Sequence, residues 1–283
     1  MTPGYEHALA AMIFLGLVDL VYKRGAAAGI AAHQFLMVQA WCFTPAIVLY
    51  GLATGTLAPE RGIAWGMGAG LFAFVALYNF ARSLKGGSVS IVAPIFRLSF
   101  TVTALLAVVV LGEPLTLYTL AGLALALAAV WLLLGAEGAV PAGGTSRLAL
   151  VQAVIAMAAM GVANFLYKMG ALTGGSPASF IAGQAATFLP LATAFAWRVD
   201  GGLRTTRAAW THAGSAALLF LVALVLLFHS LARGKASVLV PISQMGFVVT
   251  AAFGLAFLKE PFSLRKGAGL AFALAALACL AYS

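Results

Sequence analysis

The sequence predicts an all-α integral membrane protein of ten transmembrane helices, arranged as two inverted five-helix repeats. Three observations carry this prediction: an extreme apolar composition, apolar runs of membrane-spanning length, and an internal duplication whose unit holds an odd number of runs. The 283 residues are 63% hydrophobic and 8% charged, where soluble domains run to about 45–50% and about 25%. No water-soluble globule of this size hides that much apolar surface, so lipid must serve as solvent. The net charge of +9 invites a nucleic-acid reading. It fails, because the basic residues stand in pairs between apolar runs and form no continuous patch.

In chain order the apolar runs fall near 7–24, 31–51, 63–83, 88–111, 115–135, 148–169, 177–197, 209–231, 236–258 and 265–282. Each is close to the 20 residues that a helix needs to cross a bilayer. Lys23-Arg24, Glu60-Arg61, Lys85-Gly86-Gly87, Glu113-Pro114, the stretch from Arg198 to Arg207 and Lys259-Glu260-Pro261 punctuate them. These connections leave no room for a soluble domain. The longest contains Pro141, Gly143 and Gly144, so the predicted organisation is a first repeat over 1–137, a linker over 138–147 and a second repeat over 148–283. A β-barrel would demand alternating polar and apolar residues, whereas Ala216 to Phe228 is apolar throughout. Cys42 and Cys279 lie within apolar runs, read as small buried side chains. Glu6 before the first run, without a basic lead-in, argues against a cleavable signal peptide.

Gly16–Pro45 aligns with Gly161–Pro190 at a constant offset, with 11 of 30 positions identical, among them Tyr22/Tyr167, Lys23/Lys168, Gln39/Gln184 and Pro45/Pro190. A second block pairs Gly87/Gly234, Pro94/Pro241, Glu113-Pro114/Glu260-Pro261 and Gly122/Gly269. Chance likeness between apolar helices matches Leu and Ala, not rare polar residues, so the chain is duplicated. With five spans per unit, the second unit must enter the membrane upside-down, an architecture that suits alternating exposure of a midplane site.

The spacing Gly16 to Lys23 and Gly161 to Lys168, with the pattern Pro94 to Glu113-Pro114 to Gly122 and its mate Pro241 to Glu260-Pro261 to Gly269, resembles the drug/metabolite transporter superfamily in its ten-helix EamA-type branch. The likeness covers essentially the whole chain. It departs where the family often carries Trp before the first glycine, since Leu15 and Met160 stand there. The resemblance implies transport of a small organic solute such as an amino acid, a related metabolite or a drug, with export commoner than import.

Arg97 is the outlier among the residues themselves, because a mid-membrane arginine costs at least about 2.5–3.5 kcal/mol to insert. It stands three residues after Pro94, as its mate Gln244 stands three after Pro241. Two readings follow: Arg97 and Gln244 line a central cavity where Arg97 receives a substrate carboxylate, or Arg97 is a strut between helices. Phe96, Phe100 and Phe247 are candidates for an apolar wall beside them, although packing is the default in a chain with 19 phenylalanines. Asp19 is the one acid well inside a span and the candidate for proton coupling; four residues before Lys23, it also suits a local pair. Asn164 and Lys168 are the mates, and Asn164 joins the candidate substrate contacts. Lys23 and Lys168 are expected to snorkel to the interface.

Glu113-Pro114 and Glu260-Pro261 suit capping of the helix that each proline begins. Tyr78 and Asn79, near Arg82 at the end of span 3, and His229, at the end of span 8, are candidates for binding or gating on opposite sides. His33 is expected at the interface. Gly62, Gly66 and Gly70 allow a close helix contact, within the chain or in a homodimer, the internal contact being expected.

Lys and Arg after odd-numbered spans (Lys23, Arg24, Arg82, Lys85, Arg147, Arg198, Arg204, Arg207, Lys259, Arg265, Lys266) outnumber those after even-numbered spans (Arg61, Lys168, Arg233, Lys235). The positive-inside rule therefore puts both termini outside, whereas the family pattern more often puts them in the cytoplasm. No GxxxxGK[ST], HExxH or GxSxG sequence occurs, and four scattered histidines make no metal cluster. A secondary transporter in the cell membrane is expected, with a small-molecule substrate and the lipid bilayer as partners. No nucleic acid, metal, cofactor or enzymatic activity is expected. A broad drug exporter and a structural subunit of a membrane complex are the alternatives.

Overall fold

The computed structural model describes residues 2–86, 89–134, 146–257 and 263–283, all of them in helices or the short links between helices. The first half contains α1 (Tyr5–Ala27), α2 (Ala32–Ala53), α3 (Gly62–Gly86), α4 (Val89–Arg97), α5 (Ser99–Leu111) and α6 (Leu117–Leu134). The second repeats the series as α7 (Arg147–Leu172), α8 (Pro177–Asp200), α9 (Arg207–Arg233), α10 (Ala236–Gln244), α11 (Gly246–Phe257) and α12 (Leu264–Ala281). Among the described residues, 9 helices or helix pairs are long and apolar enough to cross a bilayer, and α6 supplies a shorter tenth over Leu117–Leu133. That tenth lies at the short limit of a spanning helix, roughly 17 residues. Large side chains such as Leu49, Leu105, Val109 and Leu117 are exposed on the outside of the bundle. Lipid is the solvent that such a surface requires. The linker predicted over 138–147 lies outside the described residues up to 145.

The fourth and ninth spans are each two helices, a division that the apolar runs do not reveal. The breaks fall at Leu98 and Met245, repeat mates four residues beyond Pro94 and Pro241. At both, a bond between residues three apart appears: Leu98 N is shared between Ile95 O (3.1 Å) and Pro94 O (3.2 Å), and Met245 N donates to Ile242 O (3.1 Å). Such tightened turns mark helix ends.

Contacts between repeat mates establish the inversion. Along α2 and α8, His33 meets Asp200 at 2.8 Å, Trp41 Nε1 donates to Thr193 Oγ1 at 3.1 Å, and Gly51 lies against Ala178. As one number rises the other falls, so the mates run in opposite directions. Likewise Gly122 of α6 packs on Leu280, and Gly269 of α12 on Leu133.

The two repeats are interleaved rather than side by side. α3 packs chiefly on α7 and α8, while its mate α9 packs on α1 and α2. Glycines explain why. A Cβ on Gly66 or Gly70 would run into the backbone of Phe180 or Gln184 in α8, so only glycine permits this approach. The contact predicted for these glycines is thus made within the chain. The same device recurs with the symmetry of the duplication: Gly16 meets Val249 and Gly246, and Gly161 meets Val102 and Ser99. Thr103 Oγ1 donates to Gly161 O (2.9 Å) and Thr250 Oγ1 to Gly16 O (3.1 Å).

Two expectations about the helix ends change. Glu113 caps a helix, but of the other repeat. Its carboxylate accepts from Ala236 N (2.8 Å), Ser237 N (2.9 Å) and Ser237 Oγ (2.6 Å) at the start of α10. Those orphan N–H groups stand at the positive end of the α10 dipole, and interleaving brings them nearer than α6. Glu260-Pro261 lies outside the described residues. Lys168 does not snorkel: it is 8% exposed. Its Nζ donates to Leu231 O (2.9 Å) and Gly234 O (2.6 Å) at the end of α9, where carbonyls lack helical partners and the dipole favours a cation. Replacing Glu113 with Gln keeps an acceptor but removes the charge. The expected cost is about 1–2 kcal/mol, read as a lower melting temperature in detergent with helicity retained.

Candidate functional site

Where the repeats meet, helices α1, α2, α3, α7, α8 and α9 enclose a cavity of about 90 Å³. That is room for several waters. Its wall follows the duplication: Tyr22, Gln39 and Phe43 come from the first repeat, and their mates Tyr167, Gln184 and Phe188 from the second. Tyr22 Oη donates to Gln39 Oε1 at 2.8 Å, and Tyr167 Oη donates to Gln184 Oε1. The cavity therefore lies on the axis that exchanges the repeats. Each tyrosine donates its O–H to a glutamine oxygen and keeps an oxygen lone pair as acceptor.

Aromatic and aliphatic side chains form most of the remaining wall, with Phe220 against Phe43 at 5.9 Å between ring centroids. Asn164, Thr44 and the two Tyr–Gln pairs are the polar groups, and no Asp, Glu, Lys or Arg among the described residues lines the cavity. The Asn164 Nδ2 group is buried and has no hydrogen-bond partner. Met160, the residue that departs from the family's tryptophan, also lines the wall.

Of the candidates named from the sequence, Asn164 is the one on this wall. Arg97 is engaged elsewhere: its Nη2 donates to Asp19 Oδ2 at 2.5 Å, each side chain about one-fifth exposed. This ion pair ties α1 to the end of α4, one helical turn from Tyr22. The residues at the matching positions of the second repeat, Asn164 and Gln244, are uncharged. Gln244 is half-buried, while Phe100 and Phe247 are packed in the core. Phe96 stacks on Phe80 with centroids 4.4 Å apart.

Tyr78 accepts a hydrogen bond from Arg82 Nη1 (2.9 Å) and belongs to an aromatic cluster with Phe74 and Phe195. Phe74 also touches Phe188 of the cavity wall. Asn79 Nδ2 donates to Val75 O of its own helix (2.8 Å). His229 lies near the ring of His7, with centroids 6.3 Å apart, by Arg233 at the membrane face that carries the termini. His33 stands at the opposite face, where it and Gln34 hold Asp200, each at 2.8 Å.

The residues missing from the sequence-derived site are Tyr22, Gln39, Tyr167 and Gln184. A signal was available. They are polar, sit inside apolar spans and survive in both repeats; identities that reveal duplication also mark the wall on its axis.

Comparison with known proteins places the chain. The family model described as EamA-like transporter family matches it twice, over residues 2–135 and 147–282. An uncharacterized protein of Methanocaldococcus jannaschii, MJ1333.1, is 34% identical over 73 residues, which are 26% of this chain and 53% of that protein. The chain thus spans about half the length of this curated relative. A solved structure described only as a crystal structure of a protein is similar in fold, with a TM-score of 0.82, 16% identity and 98% of each chain covered.

Proposed function

The chain belongs to the EamA-like transporter family, and from that premise we propose that it is a secondary transporter. It moves a small organic metabolite of the amino-acid class outward across the cell membrane by alternating access. One observation carries the reading: the uncharged, mostly apolar cavity lies on the axis between inverted repeats, with a Tyr–Gln pair from each repeat on its wall. Rocking the repeats about a site on that axis exposes the same groups to either side in turn.

At the face that bears the termini, bonds between repeats close the bundle. Glu113 holds α10, and Ser176, which caps α8, and Ser179 within it donate to Thr56 O and Ala58 O, at 2.5 and 2.8 Å. Glu60 accepts from Ser176 N at 2.7 Å. At the opposite face, which the positive-inside rule puts in the cytoplasm, His33 and Gln34 hold Asp200 across the repeats. The outward direction rests on the family resemblance, in which export is commoner than import.

An amino-acid zwitterion has strong donors and acceptors but no net charge, which suits a wall without ionised groups. A broad exporter of cationic drugs needs an acid on the pathway, and the carboxylate inside the spans, Asp19, is engaged by Arg97. A purely structural subunit leaves the paired cavity without a use.

Counterflow on the purified chain in liposomes tests the proposal, with zwitterionic amino acids, amines and sugar phosphates offered in parallel. Exchange of at least one zwitterion well above protein-free liposomes is expected. No exchange of any zwitterion ends the reading.

A further inference from the structure

We infer that residues 191–200, the last part of α8, are a gate of the cavity, hinged at Pro190 and latched to α2 by His33 and Gln34. This deepens the transport reading above and rests on it. Pro190 stands inside α8, directly after Phe188 and Leu189 of the cavity wall. A proline within a helix removes a backbone hydrogen bond and loosens the helix there. One part of α8 thus carries the wall and another forms the arm beyond it.

That arm bears both a latch and a plug. Asp200 ends it and is held by both oxygens: Oδ1 meets His33 Nε2 and Oδ2 accepts from Gln34 Nε2, each at 2.8 Å. Phe195, midway along it, packs edge-on against His33 and Tyr78, with ring centroids 6.2 and 4.9 Å apart. Phe74 joins Phe195 to Phe188 of the cavity wall, at 6.2 and 6.1 Å. A train of rings therefore runs from the cavity to the latch, and swinging the arm breaks it.

The duplication makes the latch one-sided. The mates of His33 and Gln34 are Ala178 and Ser179, and at the opposite face Ser179 holds Ala58 O through a hydroxyl. Imidazole, unlike hydroxyl, ordinarily changes charge between about pH 5 and 8. His33 and Asp200 are 17% and 14% exposed, so water screens a charged pair there only in part. Around this end of α2, Lys23 and Arg24 close α1, Arg82 is bonded to Tyr78, and Arg198 lies on the arm itself. Arg204 acts on Asp200 through space, and Arg207 and His212 begin α9. Among these groups Asp200 is the acid, so a protonated His33 has Asp200 as its counter-ion. Acid adds charge attraction to the hydrogen bonds of the latch, and a rise in pH removes it.

Spin-label distance measurement on the full chain in liposomes tests this, with nitroxides at Leu148→Cys and Val199→Cys and with Cys42 and Cys279 replaced by Ala. Both label sites are exposed, one on the arm and the other at the start of α7. The latched population, which Asp200→Asn should deplete, is expected to be favoured about 3- to 10-fold more at pH 5.5 than at pH 8.5. That is the difference between a charged and a neutral hydrogen bond. His33→Gln should remove the pH dependence. It leaves His7, His212 and His229 in place, so their titration is its internal control. Counterflow of a zwitterionic amino acid should quicken with pH in the parent and vary little in His33→Gln.

A distance distribution alike at both pH values overturns the inference, as does a pH dependence that survives in His33→Gln. The distances need no solute. A chain that exchanges zwitterions without the shift keeps the transport reading and loses the gate, whereas a chain that shifts but moves no zwitterion keeps the hinged arm and loses that reading.

Discussion

Replacing Arg97 with alanine is expected to destabilise the protein by about 3 kcal/mol or more, because it strands the Asp19 carboxylate within the membrane. Removing one member of a buried ion pair typically costs about 3–5 kcal/mol, and the low end applies since each side chain is about one-fifth exposed. Arg97→Lys keeps the charge but not the planar fork, so it should fall between. The repeat supplies the control. Asn164 and Gln244 occupy the matching positions, so the double variant Asp19→Asn with Arg97→Gln installs the uncharged residues that the second repeat carries there. It should recover most of the melting temperature lost in Arg97→Ala.

The same series separates the two roles of Arg97. A strut predicts that the double variant melts near the parent and keeps its KM for the transported solute. A direct contact to a substrate carboxylate predicts normal melting with a KM raised at least 10-fold, roughly one charge-assisted hydrogen bond. The structure favours the strut, since Arg97 is bonded to Asp19 and absent from the cavity wall.

Gly66→Ala is the second large effect. The added methyl would lie inside the contact distance of the Phe180 carbonyl, a backbone atom of α8 that cannot step aside alone. Helices α3 and α8 would have to part along their length, at an expected cost of about 1–3 kcal/mol and with a disturbed cavity, since Ala69 and Gln184 both line it. Gly68→Ala on the same helix is the comparison: its Cβ would stand 3.3 Å from Leu166 Cδ1, the end of a flexible side chain. Reduced melting temperature and exchange rate in Gly66→Ala, with both near normal in Gly68→Ala, is the expected result. Equal effects would show that general crowding of α3, not its seam with α8, matters.

Much of the fold was legible without coordinates, for reasons visible in particular segments. Ala216 to Phe228 has no polar residue to offer a soluble surface, so it spans. Five spans per repeat turn the second copy over by parity, which His33 with Asp200 and Trp41 with Thr193 then display as contacts. The candidate site was less legible. Arg97 drew notice as the costliest residue in the membrane, but cost alone does not say whether a partner is a solute or Asp19 on another helix. Tyr22, Gln39, Tyr167 and Gln184 drew notice only as identities, because nothing local reveals that two helices turn them toward one axis.

Apolar length, duplication and odd parity are properties of the chain read in order, and from them came the class, the number of spans and the inversion. Tertiary structure decided which helix faces which: α3 on α7 and α8, Glu113 on α10, Arg97 on Asp19, Lys168 on the end of α9. Lipid explains the division. Within a bilayer every helix is already solvated on its apolar surface, so hydrophobicity puts spans in the membrane but does not choose their neighbours. Glycines that admit a backbone and polar groups that need a partner make that choice, and their matches lie tens of residues or more away in the chain.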